Sequence, residues 1–414
     1  MRDSAVAERV DWILRRARLT DDAPLVDIAI DQGYIIAIDA ALPAQAHAVW
    51  DLEGRVVLPG LVDAHTHLDK SHLPAPNQSG TLREAITVWQ QLKKTRPRVT
   101  LQQSVRRAIQ SALANGVTAM RSHIDIVEAS DLQTLETILE VREEMRACLD
   151  LQLVALGPAA VQGVMFAPMT NALALGVDHI GGAPALTDEP QAQIDAAFVL
   201  AERTGKALDL HIDETEDPQM LTLAHLAQQT IAYGMQGLVT AGHCCSLAFV
   251  DEVTAGCVMD LVAEARLNIT TLPSCNLVLM GRNHRPTPRG ITLVKELLAR
   301  GVNVCVASDN VQDPFNPFGS YDLLHMANLN AHVAHMTGAP EIRTSLAMVT
   351  NHPAQALGLT AYGMHVGAVA DLVVLDTTRV LAAVTEIPPR LATFKRGQLV
   401  VRTTIERQWP ARSC

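Results

Sequence analysis

The chain has 414 residues, of which 48% are hydrophobic and 19% are charged, and its formal net charge at pH 7 is -11. This length suits one large barrel with a smaller module, or two to three medium domains, and the apolar content is enough for a sizeable core. The acidic balance and the lack of dense Lys/Arg runs argue against nucleic acid or an anionic membrane surface as the main partner.

The seven cysteines are irregularly spaced and include no Cys-x-x-Cys pair. They predict neither a disulfide framework nor a structural zinc knuckle, so we expect reduced thiols in a cytoplasmic protein. No run approaches 18 uncharged apolar residues, and we therefore expect no membrane span.

Short strands are predicted first, over residues 10–60, where apolar and polar residues alternate loosely between turn signals such as Gln32-Gly33. Strand patterns return after residue 360, in HVGAVADLVVLDT and LATFKRGQLVVR. We expect the two flanks, 1–60 and 361–414, to pair into one small β-sandwich module built from both ends of the chain.

Between the flanks, over residues 61–360, short apolar runs alternate with helical patterns. Strands are predicted at eight segments: 61–67, 117–125, 151–157, 177–183, 207–214, 237–243, 267–273 and 303–310. Several helical stretches between them, among them GITLVKELLARG over 290–301, end in Asn-Gly, Thr-Gly or Arg-Gly, which is typical of a helix C-cap. Eight strand–helix units favour an α/β fold of the (β/α)8 TIM barrel type, and a doubly wound sheet is the main alternative.

The first predicted barrel strand ends in His65-Thr66-His67, the only His-x-His of the chain. Fifteen histidines in 414 positions give roughly 0.5 such pairs by chance, so the motif alone is weak. On a strand, however, residues i and i+2 project to the same face. Burial of this polar pair at the end of an apolar strand would be costly without a partner. We expect the two imidazoles to share a metal; a surface turn is the alternative.

Other predicted strands end in residues that can bind a metal or move a proton: His123, Asp125, His211, Glu214, His243 and Asp309. In a barrel, all of these lie at the C-terminal mouth, where barrel active sites are found. One such histidine alone is more often structural, but a set of three histidines and one aspartate suits Zn²⁺ or Fe²⁺ and leaves a position for water. A metal activates that water, and Glu214 is placed to protonate a leaving group. The sequence therefore predicts a hydrolase with one divalent metal ion and a small-molecule substrate.

The segments LPGLVDAHTHLDK, HIDE, TAGH and ASDN resemble the strand-end motifs of the amidohydrolase superfamily, and within it the cytosine deaminase branch. The resemblance covers nearly the whole chain, because NQSGTLREAITVW, GITLVKELLARGVNVC and GAVADLVVLD are similar as well. It implies a homo-oligomer with a mononuclear site, whose metal ligands would be His65, His67, His211 and Asp309. It also implies that Glu214 carries a proton to the substrate ring, while His243 and Asp309 orient and deprotonate the attacking water.

Two segments depart from the cytosine deaminase pattern. That branch has a glutamine just after strand three that reads the amide edge of the pyrimidine, whereas LVALGPAAVQG places Pro158 near this position and Gln162 four residues later. Either Gln162 replaces the missing glutamine, or ring recognition differs. Asn310 stands where the branch has a second aspartate, which is similar to the isopropylammelide amidohydrolases, and Phe315 stands where the branch has an aromatic over the pocket. We expect Gln162, Asn310 and Phe315 to bind substrate.

Three functions remain open on this basis. The first is a deaminase of a cytosine-like pyrimidine or related aminated ring, which releases ammonia. The second is an amidohydrolase that removes an N-alkylamine from a triazine-like ring. The third is a catalytically dead scaffold; such relatives typically lose metal ligands, but here all four candidate ligands and Glu214 are present.

Overall fold

The computed structural model of the chain describes residues 9–43, 45–73 and 77–409. The predicted β module included residues 1–8 and 410–414, and these lie outside the described residues. No helix in the described ranges is long and apolar enough to cross a membrane. The expected homo-oligomer stays a prediction.

The described strands and helices follow one another in a regular order. The strands are β1 (Val10–Ala17), β2 (Val26–Asp31), β3 (Tyr34–Asp39), β4 (Ala46–Asp51), β5 (Val57–Pro59), β6 (Leu61–Thr66), β7 (Val117–Asp125), β8 (Asp150–Leu156), β9 (Ala160–Val161), β10 (Val164–Met165), β11 (His179–Ile180), β12 (Ala207–Ile212), β13 (Val239–His243), β14 (Asn268–Thr271), β15 (Asn303–Val306), β16 (Leu372–Leu375), β17 (Arg390–Lys395) and β18 (Gln398–Arg402). The α-helices are α1 (Leu82–Thr95), α2 (Arg98–Ala114), α3 (Asp131–Met145), α4 (Ala167–Ala174), α5 (Pro190–Thr204), α6 (Leu223–Ala232), α7 (Glu252–Glu264), α8 (Pro273–Leu279), α9 (Val294–Ala299), α10 (Leu323–Val333), α11 (Ala339–Ala347), α12 (Asn351–Ala356) and α13 (Ala382–Thr385).

Eight parallel strands form the central sheet, in the order β6-β7-β8-β11-β12-β13-β14-β15. Helices follow these strands and cover the sheet, so the predicted (β/α)8 TIM barrel is confirmed. Every strand predicted between residues 61 and 310 is present, although the fourth is reduced to His179–Ile180. The strands read as nearly continuous apolar runs because a parallel sheet under helices is buried on both faces.

The barrel closes between its first and last strands. Thr66 forms a parallel bridge with Asp309, and the Thr66 hydroxyl donates to the Asp309 carbonyl oxygen at 2.9 Å. The Asp309 backbone N–H in turn donates to the carbonyl of His65, also at 2.9 Å. This seam brings the end of the chain's last barrel strand beside the His-x-His motif on the first.

Two four-stranded sheets lie outside the barrel, with strand orders β3-β2-β1-β4 and β18-β17-β16-β5. They share an apolar core, in which Trp12 packs edge-on against Phe394 with ring centroids 5.3 Å apart. The first sheet comes from the N-terminal flank and most of the second from the C-terminal flank, which confirms the expected β-sandwich. The division of the chain at residues 60 and 360 stays a prediction.

One predicted helix is shorter than its sequence pattern indicated. The segment 290–301 was expected to be helical throughout, but the helix covers only Val294–Ala299. The residues before it are not helical; Ile291 and Thr292 are buried, and the Thr292 hydroxyl donates to the carbonyl of His243 at 2.6 Å. A tertiary contact at the mouth of the barrel therefore replaces the first turn of the helix.

Gly157 lies in a closely packed part of the barrel mouth. A Cβ at this position would lie 2.0 Å from the carbonyl oxygen of Ile126, which is backbone and cannot rotate away. Because overpacking of this kind forces a backbone shift, Gly157→Ala is expected to lower the free energy of unfolding by about 1–3 kcal/mol. Gly256→Ala is the matched control: it lies inside α7, its nearest neighbour would be Arg300 at 3.7 Å, and alanine favours a helix by about 1 kcal/mol over glycine. The stability of both variants is measured by denaturant unfolding. If Gly157→Ala is as stable as Gly256→Ala, the packing argument is wrong.

Candidate metal centre and active site

The His-x-His pair lies at the end of β6. All six residues of this strand are buried; His65 lies within it and His67 directly follows it. Since side chains two residues apart on a strand share a face, both imidazoles lie at the mouth of the barrel. Their ring centroids are 5.3 Å apart.

The other two predicted metal ligands meet this pair. His211 near the end of β12 has its Nε2 3.3 Å from Nε2 of His67. The Asp309 Oδ1 lies 3.3 Å from Nε2 of His67 and 3.6 Å from Nε2 of His65. The structure therefore brings together His65, His67, His211 and Asp309 from three strand ends that are far apart in sequence.

The polar atoms of this cluster fit a metal ion. In the described part of the chain, neither ring nitrogen of His65 and neither carboxylate oxygen of Asp309 has a hydrogen-bond partner, and Nδ1 of His67 and of His211 has none. Burial lowers the pKa of all three imidazoles well below their ordinary value, so they are neutral and carry free lone pairs. Buried polar groups without partners are costly, and a nitrogen and oxygen donor set of this kind suits Zn²⁺ or Fe²⁺.

Glu214 and His243 complete the site on neighbouring strand ends. The Glu214 Oε1 lies 3.5 Å from Nδ1 of His243, and the Asn276 side-chain nitrogen lies 3.0 Å from the same atom. Burial, and next the nearby Asp309 carboxylate, raise the pKa of Glu214 well above its ordinary value. Burial lowers the pKa of His243 to about 4. These shifts favour the protonated form of Glu214, which can donate a proton, and the neutral form of His243, which can accept one.

Asp213 explains why its neighbour Glu214 faces the pocket. Asp213 has φ 52°, in the left-handed region. Its carboxylate accepts hydrogen bonds from the Thr222 hydroxyl at 2.7 Å and from the Leu223 backbone N–H at 3.0 Å. The first carboxylate of HIDE thus fixes the start of α6, and the sharp turn leaves the second one to line the pocket.

His123 and Asp125, on the second barrel strand, occupy different places. The His123 ring lies 4.0 Å from that of His65, centroid to centroid, and its Nε2 lies 3.5 Å from Oδ1 of Asp209. Asp209 also binds the buried Arg121 guanidinium at 2.7 Å, so its charge is already compensated. This group supports the cluster from inside the barrel, whereas Asp125 lines the pocket.

A cavity of about 510 Å³ opens beside the cluster. Its wall includes His67, His211, Glu214, His243 and Asp309, together with several apolar side chains. Two of the three expected substrate-binding residues, Asn310 and Phe315, also line it. Both are fixed by Asp313, which accepts from the Asn310 amide nitrogen at 2.7 Å and from the Phe315 backbone N–H at 2.8 Å.

Gln162 does not line this pocket. Its expected role as a replacement for the strand-three glutamine stays a prediction. The residue lies in the turn of the β9–β10 hairpin, with φ 49°, and is exposed. Gly157, Pro158 and Ala159 line the pocket at this position and offer no side-chain hydrogen bond.

Two pocket residues, Lys70 and Trp89, were missed in the sequence analysis. Lys70 is buried three residues after His67, and Trp89 lies on α1. Both line the cavity beside Asp125. The one sequence signal for Lys70 was its place at the end of the segment LPGLVDAHTHLDK. The local sequence does not predict that this lysine faces inward.

Comparison with known proteins gives one family for nearly the whole chain. The sequence model described as "Amidohydrolase family" matches residues 48–98 and 76–401. A pterin deaminase from Rhizobium rhizogenes is 33% identical over 386 residues, which are 91% of this chain and 88% of that protein. The N-isopropylammelide isopropyl amidohydrolase of a Pseudomonas species is 28% identical over 95% of this chain and 98% of its own length.

A solved structure is also similar throughout. The 5-methylcytosine deaminase of Klebsiella pneumoniae, bound to 5-fluorocytosine, superposes with a TM-score of 0.91 at 31% identity, over 97% of this chain and 100% of that one.

The cluster predicts that His67 is needed to hold a metal ion. His67→Ala removes a neutral imidazole whose Nε2 lies within 3.3 Å of both His211 and Asp309. We expect the purified variant to carry much less than one divalent ion per chain, measured by inductively coupled plasma mass spectrometry. His225→Ala is the control, since that imidazole binds Asp195 on a neighbouring helix at 2.7 Å and should leave the metal content unchanged. A metal-replete His67→Ala protein would contradict the ligand assignment.

Proposed function

The chain belongs to the amidohydrolase family, and we propose that it is a metal-dependent hydrolytic deaminase that releases ammonia from an amino-substituted nitrogen heterocycle. The observation that carries the proposal is the convergence of three neutral imidazoles and the Asp309 carboxylate beside Glu214 and His243, at one cavity whose wall includes all of these residues except His65. Related enzymes are named for reactions on pterin, cytosine and ammelide rings, which supports a heterocyclic substrate.

The proposed metal ligands are His65, His67, His211 and Asp309. These residues would hold one divalent ion, which would supply an activated water as a nucleophile near neutral pH. Zn²⁺ and Fe²⁺ both suit this donor set.

The remaining steps are proton transfers by this chain's own residues. His243 and Asp309 orient the attacking water and accept its proton. Burial raises the pKa of Glu214 and so favours its protonated form, and Glu214 delivers that proton to the ring nitrogen next to the reacting carbon. The proton taken from the water then passes to the exocyclic amino group, its bond to the ring carbon breaks, and ammonia leaves. The added hydroxyl returns its proton to Glu214 as the ring carbonyl forms.

The size of the cavity widens the range of rings to be tested. At about 510 Å³ it lies within the range of about 300–1,000 Å³ that is usual for small-molecule sites. It can take a fused two-ring heterocycle of the pterin type as well as a single pyrimidine or triazine. We propose that Phe315 and Asn310 contact the bound ring from the side of the eighth strand.

A second candidate reaction is hydrolysis of an N-alkylamino group from a triazine-like ring. Two observations favour it: Asn310 directly follows Asp309, and the chain is 28–29% identical to N-isopropylammelide hydrolases from a Pseudomonas species and from Burkholderia multivorans. The same site would serve both reactions, since only the leaving amine differs.

Glu214→Gln tests the proton transfer. The amide is nearly isosteric but cannot deliver a proton, so we expect kcat to fall by about 10²–10⁴-fold while the metal content is unchanged. Turnover is measured as ammonia released from a panel of aminated pyrimidines, triazines and pterins. Glu216→Gln is the matched control: this carboxylate lies two residues away on the same loop, but it binds His284 at 2.7 Å and is not part of the cavity wall. If the metal-loaded wild type releases no ammonia from any compound of the panel, the proposed function is wrong.

The leaving amine separates the two candidate reactions. We expect ammonia from amino-substituted rings and little or no isopropylamine from N-isopropylammelide, because the relative with 33% identity is a pterin deaminase. Both products are measured by chromatography after amine derivatisation, at matched substrate concentrations. A higher kcat/KM for isopropylamine release than for any ammonia-releasing ring would favour the second candidate.

A further inference from the structure

The proposed reaction leaves one charged group of the pocket unused. Lys70 lies on the cavity wall three residues after His67 and is only 3% exposed. Its ammonium lies 5.2 Å from the centre of the Trp89 ring and 5.4 Å from that of the Phe315 ring. A buried ammonium is costly unless its charge and its N–H groups are all compensated.

Asp125 compensates the charge of Lys70 but not all of its donors. The Asp125 Oδ1 accepts from the ammonium at 2.8 Å, and its Oδ2 accepts from the indole N–H of Trp89 at 2.5 Å, so both oxygens are taken. The Asp69 carboxylate is 3.7 Å from the ammonium, beyond hydrogen-bond distance. Within residues 9–43, 45–73 and 77–409, the other two N–H groups of the ammonium have no acceptor.

Lys93, a second lysine of the same pocket, has its ammonium bound more completely than Lys70. It also lines the cavity and is nearly buried, but both oxygens of Asp131 bind its ammonium, at 2.7 and 2.9 Å. Lys70 instead has donors without acceptors, near two aromatic rings and on the same cavity wall as His67. This is the arrangement expected of a group that binds a ligand.

We propose that Lys70 binds the substrate directly, by donating a hydrogen bond to an exocyclic oxygen of an amino-oxo heterocycle, while Trp89 and Phe315 flank the ring. The inference rests on the proposed function and narrows its substrate class. An ammonium has no acceptor, so the ring atom that it meets must accept. An amino group at the same ring position would bring two donors together, and the site would therefore reject diamino rings.

This assignment also accounts for the pocket wall after the third strand. Pro158 offers no side-chain hydrogen bond, and Gln162 lies outside the cavity. Lys70 supplies a donor to the ring from the first strand instead, and Asp125 on the second strand fixes the direction of that donor. Asp125 is a positioning residue in this account, since both of its oxygens are already bound.

Lys70→Met tests the inference, because methionine has a similar length and no donor. We expect kcat/KM for an amino-oxo ring to fall about 10- to 100-fold, as for the loss of one hydrogen bond to a charged group, and that for the matching diamino ring to change little. The pairs are isocytosine with 2,4-diaminopyrimidine and pterin with 2,4-diaminopteridine. Calorimetric titration with the deaminated oxo product should show the same loss of affinity.

Two further variants keep the test decisive. Lys93→Met removes a lysine of the same pocket whose ammonium pairs with Asp131 and Glu128, and it should keep the wild-type preference for amino-oxo rings. Lys70→Met/Asp125→Asn removes both charges together, so it should lose the preference even if the single variant folds poorly. Metal content and thermal midpoint are measured for each.

The possible outcomes separate the two proposals. If the wild type is active and Lys70→Met keeps the wild-type ratio between amino-oxo and diamino rings, the inference is wrong and the proposed function stands. An equal loss on both ring types also overturns it, because that result indicates a structural role. Silence of the wild type on every ring refutes the proposed function and this inference with it.

Discussion

Closure of the barrel is the constraint on which the site depends. The hydrogen bonds that join Thr66 and His65 to Asp309 link positions more than 240 residues apart in the chain. They hold the carboxylate of the last strand within 3.6 Å of both histidines of the first. Without these hydrogen bonds, an open sheet edge would separate His65 and His67 from Asp309. The site is thus a property of the closed barrel, and not of any one motif.

Burial then sets the chemistry of the residues that the seam brings together. The imidazoles of the cluster remain neutral because desolvation lowers their pKa, and Glu214 retains a proton because desolvation raises its pKa. The same burial would be unfavourable for Arg121 and Lys70 if each did not bind a carboxylate, Asp209 in one case and Asp125 in the other. Charged groups around the cluster therefore occur as pairs, and Lys70 differs from Arg121 in that it keeps donors directed at the cavity.

Left-handed backbone conformations at the strand ends allow adjacent residues to make different contacts. Asp213, His243 and Asp309 all have φ between 52° and 68°. This conformation is unfavourable for residues other than glycine and occurs often at functional sites. At Asp213 the turn lets one carboxylate fix a helix while the next faces the pocket. At Asp309 it lets the backbone close the barrel while the side chain joins the cluster.

The sequence by itself determined the strand count, the two flanking segments and the candidates at four strand ends, because buried parallel strands and strand-end histidines are local signals. It also indicated Asn310 and Phe315. Only the tertiary structure decided which polar residues reach the cavity. Gln162 lies in the turn of the β9–β10 hairpin and does not line the cavity. Thr292, just before α9, donates to the carbonyl of His243 where the sequence pattern predicted the first turn of a helix. Lys70 faces inward because Asp125 and Trp89, which are distant in sequence, form the wall against which its ammonium is held. Contacts between separate strands and helices decide such directions, and no local pattern of residues records them.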